Sequence, residues 1–212
     1  MEVLEAIHRR RAIRDYKPDP VAQAQLRQVI EAACWAPSAM NEQPWHFVAV
    51  TDKAVLANIS SRAKAWLVEN NPTLANNPHL RPMLQAPEFN IFYGAPALIA
   101  IAAANGSKWT LEDCALAAEN LMLAATELGL GTCWIGLAQD WLNTPGGRKI
   151  LNLAPAEETV APIVIGHPKS FPPAVARKPP TITWIGETEA MAEDGAAESA
   201  ISHGVYGTLI HP

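Results

Sequence analysis

The chain alternates between helical and strand-like spacing of its apolar residues. Val3, Leu4 and Ile7 recur at helical spacing and predict a short amphipathic helix ending near the arginines that follow. Beyond Lys17-Pro18-Asp19-Pro20, the positions Leu26, Val29, Ile30 and Ala33 mark a second helix. It should stop before Pro37, because the residue ahead of a proline disfavours the α region. Residues 47–50 read as a buried strand and residues 54–67 as a helix. Residues 69–88, with Pro72, Pro78, Pro82 and Pro87 among asparagines, carry little regular pattern and read as a mobile excursion. Residues 96–103 form a second continuous apolar strand. The longest helix spans 111–128, where Leu116, Asn120, Leu123 and Glu127 lie near i+4 steps among alanines and Gly129 can cap the end. Residues 132–137 and 160–165 read as core strands, and 181–185 as an outlying last one. Helices alternating with apolar strands imply a layered α/β or α+β domain.

Composition narrows the class. A chain of 212 residues suits one ordinary domain with a full core. Apolar residues at 49% and charged ones at 17% fit a globular protein. A net charge of −5 argues against a nucleic-acid binder, which would show a basic excess. Cys34, Cys114 and Cys133 are odd in number and lack CxxC spacing, so neither a disulfide framework nor a metal site is expected. The opening MEVLEAIHRRR has no apolar leader core, and the run 95–104 is about half the ~18 residues of a membrane span. A cytoplasmic protein without membrane or nucleic-acid partners is the expectation.

The strongest polar signals sit at separated places. Arg9, Arg10, Arg11 and Arg14 fall within six residues of an acidic protein. Arginine supplies the planar paired donors that a phosphate dianion accepts, although a solvated helix end would look the same. In Ala36-Pro37-Ser38-Ala39-Met40-Asn41-Glu42-Gln43-Pro44-Trp45, two prolines frame a loop of small and amide side chains ahead of a strand. Amides offer both donor and acceptor, as the edge of a flavin or nucleobase requires, and loops on a rigid scaffold are favoured ligand sites. The glycines of Gly129-Leu130-Gly131-Thr132-Cys133-Trp134-Ile135-Gly136 permit close approach of backbone to a ligand, or simply cap a helix. Cys133 reads as a small core residue rather than a nucleophile, and His167 as structural. Gly166-His167-Pro168, Pro172-Pro173 and Arg177-Lys178-Pro179 are consistent with a stiff arm bringing an arginine to an anion, or with a surface tail.

In this order, the segments resemble the nitroreductase superfamily, whose pattern is R-R-S-x-R-x-[FY], P-S-x-x-N-x-Q-P-W, G-L-G-T-C-W-I-G and I-G-[HYF]-P…R-x-P. The match runs from about residue 4 to 186. The resemblance implies an α+β fold of α/β/α layers, a central mixed, largely antiparallel sheet flanked by helices, in an intertwined homodimer. Residues 1–186 would form the FMN-binding domain and 187–212 an extension of unknown role, rich in Ala, Glu and Gly and ending on Tyr206-Gly207-Thr208-Leu209-Ile210. By similarity, Arg10 and Arg14 would meet the phosphate of a noncovalent FMN, joined by Arg177, and Arg11 and Ala12 between them would also contact the cofactor. Pro37, Ser38, Ala39, Asn41 and Gln43 would line the flavin from the other subunit. Trp134, Ile135 and Gly136 would pass their backbone near flavin N5. Ala12 stands where the family has serine, so its backbone N–H must replace a hydroxyl contact. No acid/base or nucleophile triad is evident, and the flavin would perform the hydride chemistry itself. NAD(P)H would reduce FMN and leave before a small electron-poor acceptor, a nitroaromatic or quinone, takes its place. Enone reduction, dehalogenation, flavin reduction, oxidative dehydrogenation and plain FMN binding stay open as alternatives.

Overall fold

The computed structural model describes residues 1–104 and 107–186, so the apolar end at 206–210 lies outside the described residues. The chain divides into two units, Met1–Ala174 and Val175–Pro212. In the first, eight helices and four strands alternate: α1 (Val3–Arg9), α2 (Gln23–Ala33), β1 (Trp45–Val50), α3 (Lys53–Asn70), α4 (Pro72–Ala75), α5 (Arg81–Gln85), β2 (Ala97–Ala104), α6 (Thr110–Glu127), β3 (Gly131–Trp134), α7 (Gly136–Leu142), α8 (Pro145–Ile150) and β4 (Glu157–Gly166). The sheet runs β1-β2-β4-β3 with every strand pair antiparallel, and one isolated parallel bridge joins Ala12 to Thr132.

The two inner strands explain the continuous apolar runs. Along β2, Leu98, Ala100 and Ala102 pack with Leu56 and Ile59 of α3 and Leu142 of α7. The alternate residues Ala97, Ile99, Ile101 and Ala103 pack with Val29 of α2 and Ala117 and Leu121 of α6. Successive strand residues point to opposite faces, so a sheet covered on both sides reads as unbroken hydrophobicity. The pairing of β2 with β4 slips between Ile101 and Ala102, so that Ile101 faces Ala161 while Ala102 faces Thr159. Val160 is thus the extra residue of a bulge.

Several expectations are corrected. The strand expected at 47–50 begins at Trp45 and is an edge strand; Phe47 and Val48 are half-buried, Ala49 is exposed and only Val50 is buried. The excursion at 69–88 contains the end of α3 and the helices α4 and α5, each with a proline in its first turn, where a missing N–H costs nothing. The long helix buries Cys114, Ala117, Ala118, Leu121 and Ala125, whereas Leu116 is exposed; the predicted i+4 line lies off the buried face. The strand expected at 132–137 ends at Trp134, and α7 starts at Gly136. Only Ala6 of α1 is buried, leaving Val3, Leu4 and Ile7 exposed. In the second unit, residues 181–185 are exposed and form no strand.

Gly131 matters through packing. A Cβ there would lie 2.5 Å from Ile13 Cγ1 and 2.8 Å from Ile13 Cβ, and Ile13 is buried. The close approach permitted by this glycine is therefore to the N-terminal segment. Gly131→Ala should destabilise the domain by about 1–3 kcal/mol, the range for overpacking a tight interior. A urea unfolding midpoint equal to the wild type would show that the contact yields freely.

Candidate functional site

The N-terminal segment is stitched across the end of the sheet. The Ile13 N–H donates to the Thr132 carbonyl at 2.9 Å and the Lys17 N–H to the His167 carbonyl at 2.8 Å. Tyr16 is buried, its hydroxyl donates to the Ile13 carbonyl at 2.8 Å, and it bridges to Pro168. A Cβ on Gly166 would meet the Tyr16 ring at 2.8 Å. With Ile13 and Tyr16 driven inward, Arg14 and Asp15 between them are exposed.

The four arginines have different fates. Arg9 pairs with Glu5 at 3.0 Å on the solvent side of α1, and Arg10 Nε lies 3.7 Å from Glu119 of α6. Arg11 Nη1 donates to the carbonyls of His8 at 2.6 Å and Arg10 at 2.8 Å, closing the end of α1. Its Nε is buried without a hydrogen-bond partner. Asp15 is taken by Lys169 at 2.7 Å, and Arg14 makes no salt bridge among the described residues. The Arg14 guanidinium instead lies 6.0 Å from the centre of the Tyr93 ring. Burial pushes the Cys133 thiol above its ordinary value, while Arg14 and Arg10 pull it down.

At the end of β3 the backbone is open. Trp134 and Gly136 are exposed and Ile135 is buried, with the Ile135 N–H bound to the Pro162 carbonyl at 2.8 Å. A Cβ on Gly136 would meet nothing within 4 Å. Nearby in the pairing, the Ala12 N–H makes no hydrogen bond among the described residues, since Ile13 takes the Thr132 carbonyl. Beside Arg14, Tyr93 helps line an opening of 690 Å³ with Pro82, Met83, Phe89 and Gly94, a size suited to a small molecule. Lys64 secures this wall by donating to the Ala86 carbonyl at 2.8 Å, with its ammonium 5.9 Å from the Phe89 ring centre. A groove of 710 Å³ between α2 and β1, lined by Pro20, Leu26, Ile30 and Thr51, contains none of the predicted site residues.

The loop 37–43 contains a 3-10 turn, Ala39–Asn41. Met40, Asn41 and Gln43 adopt φ of 51°, 57° and 47°. Such left-handed backbone costs of order 1–3 kcal/mol per residue and clusters at functional sites. Ser38 Oγ accepts from the Gln43 N–H and Asn41 Oδ1 from Gln43 Nε2, both at 3.0 Å. Asn41 Nδ2 and Gln43 Oε1 have no partner among the described residues, while Pro37 is exposed. Arg177 lies in the second unit, exposed and outside any helix or strand. Sequence reasoning missed Tyr93, Lys64 and Asp113; the last accepts from the Ala39 N–H at 3.0 Å. The i+4 spacing of Phe89 and Tyr93, whose rings meet edge-on at 5.9 Å, was the available signal for the aromatic wall.

These features belong to a recognisable class of domain. Residues 7–167 match the model of the Nitroreductase family, and the chain belongs to that family. It is 29% identical over 122 residues to an Archaeoglobus fulgidus protein provisionally named NADH dehydrogenase/NAD(P)H nitroreductase, covering 58% of this chain and 60% of that one. It is 42% identical over 59 residues to a similarly named Methanothermobacter thermautotrophicus protein, covering 28% and 31%. The matches thus span less than two thirds of these curated relatives. A Bacteroides fragilis nitroreductase crystallised with bound FMN superposes with a TM-score of 0.77 at 29% identity, over 87% of this chain and 99% of that one. A Desulfitobacterium hafniense nitroreductase with bound FMN gives 0.76 at 24% identity over 87% and 99%, a likeness of fold. Among the described residues no helix is long and apolar enough to cross a membrane.

Cys34 is exposed, whereas Cys114 and Cys133 are buried and burial pushes the Cys114 thiol up to about 11. The thiolate is the reactive form. Brief iodoacetamide treatment at neutral pH should therefore modify Cys34 alone, read by mass spectrometry of peptides. Equal labelling of Cys133 would show it to be an accessible, activated thiol.

Proposed function

We propose that this protein is an FMN-dependent oxidoreductase that moves a hydride from NAD(P)H to a small electron-poor acceptor, such as a nitroaromatic or quinone, in a ping-pong cycle. The observation that carries the reading is Arg14: an exposed guanidinium without a carboxylate partner among the described residues, on a segment tied to β3 by the Ile13 N–H to Thr132 carbonyl bond. The donor set fits FMN. Arg10 and Arg14 supply charge for a phosphate, and Arg11 keeps one buried donor, Nε, without a partner. The Ala12 N–H, free among the described residues, stands in for the absent hydroxyl. By the family resemblance, Arg177 is a further candidate ligand for the phosphate. Trp134, Ile135 and Gly136 offer the backbone path along the ring, and the missing Cβ of Gly136 keeps that path clear.

Pro37, Ser38, Ala39, Asn41 and Gln43 line the same flavin from a second copy of the chain. Exposed Val3, Leu4 and Ile7 on α1, and exposed Trp109, Leu111 and Leu116 at the start of α6, support a dimer, since large apolar side chains left on the surface favour association. FMN, when bound, supplies the two-electron chemistry, and the protein binds, orients and excludes water. The aromatic wall of Phe89 and Tyr93 accepts flat rings, whether nicotinamide or acceptor, by stacking.

The purified protein should be a yellow dimer with one noncovalent FMN per subunit; FAD, or no flavin after reconstitution, would refute the assignment. Arg14→Ala should weaken FMN binding by about 1.5–3 kcal/mol, the scale for a hydrogen bond to a charged group. Arg14→Lys should restore part of it, because lysine lacks the paired geometry. Turnover measured against NAD(P)H and a quinone should give parallel double-reciprocal plots. Intersecting lines would mean that donor and acceptor bind together.

A further inference from the structure

Asp113 lies in the first turn of α6 and is 3% exposed, yet nothing in the proposed chemistry uses it. Burying a carboxylate is costly unless its oxygens are satisfied. Here Oδ1 accepts from the Ala39 N–H at 3.0 Å, while Oδ2 is buried with no hydrogen-bond partner. The fold thus keeps a half-satisfied carboxylate in its interior for one contact, and that contact reaches the strained loop. Residues 37–43 hold Met40, Asn41 and Gln43 in left-handed backbone. Their other hydrogen bonds close within the loop, Asn41 N–H to Ser38 and Glu42 N–H to Ala39 among them. Among the described residues, the bond to Asp113 is the one hydrogen bond that joins this loop to the rest of the chain.

We propose that Asp113 is a positioning residue for the flavin-lining loop: by gripping the Ala39 N–H from α6, it fixes the left-handed turn that presents Asn41 and Gln43 to the ligand. This deepens the flavin reading and rests on it. The first turn of an eighteen-residue helix is where negative charge is favoured.

The test compares Asp113→Ala with Asp113→Asn, which keeps an oxygen at the Oδ1 position. Amide exchange on the flavin-free protein reads the loop directly, and FMN titration well below each melting temperature reads its consequence. Asp113→Ala should lose protection across 37–43 and raise the FMN dissociation constant by about 10- to 100-fold, the range for one lost charge-assisted hydrogen bond. Asp113→Asn should recover most of the affinity, which a charge-balancing role would not allow. Asp113→Leu, which fills the space without an acceptor, should lose it as Asp113→Ala does, which a space-filling role would not allow. If Asp113→Ala fails to fold, Asp113→Leu takes its place, removing the acceptor while keeping the space filled, and should reproduce the affinity loss. Unchanged exchange in the loop, or lost protection with unchanged FMN affinity, would overturn the proposal. Wild-type protein that binds no FMN would instead overturn the flavin reading, and the exchange measurement would still decide whether Asp113 holds the loop.

Discussion

The contact between Ile13 and Gly131 governs where the polar chemistry of this domain can be. Ile13 enters the core over a residue with no side chain, and its N–H takes the Thr132 carbonyl. Tyr16 repeats the manoeuvre three residues on, over Gly166. Two buried anchors with two exposed residues between them fix the direction in which Arg14 leaves the surface. Without them the arginine segment would be a basic tail on an acidic protein; with them it is a directed donor at the end of a sheet.

Charge neutralisation then sorts the arginines. Glu5 and Glu119 occupy Arg9 and Arg10 to different degrees, the end of α1 occupies Arg11, and Lys169 removes Asp15 from competition. Exposed pairs of this kind contribute little stability. Their larger effect is to leave Arg14, among the described residues, as a cation matched by the face of Tyr93 alone, an interaction weak enough for an anion to displace. The buried lysine under Phe89 works in the same direction, because it holds the wall containing Tyr93 against α3.

Much of the fold was legible in the sequence, and the misses have physical causes. Strands β2 and β4 were readable because both of their faces are buried, and the end of α6 because Gly129 takes a φ of 71° there. The buried face of α6 was not, because around the single Leu121 it is made of Ala117, Ala118, Ala125 and Cys114, while Leu116 is exposed. Pro72 and Pro82 suggested loop, yet each sits where a helix tolerates proline best. For the site, what the motifs could not assign was which arginine is spare, since Glu119 and Lys169 are remote in sequence. Nor could they show that an acid at position 113 reaches back to Ala39.

The pairing of residue 16 with residue 168 also bears on how the domain comes into being. The arginines are translated first, while β3 and β4, over which they are stitched, come near the end; even the N-terminal ammonium waits for Glu127, 126 residues away. Loops of that length must be closed before their contacts return any energy. A chain halted on the ribosome before β4 therefore carries its basic segment without a surface to lay it on, and ligand binding becomes the last property the nascent domain acquires.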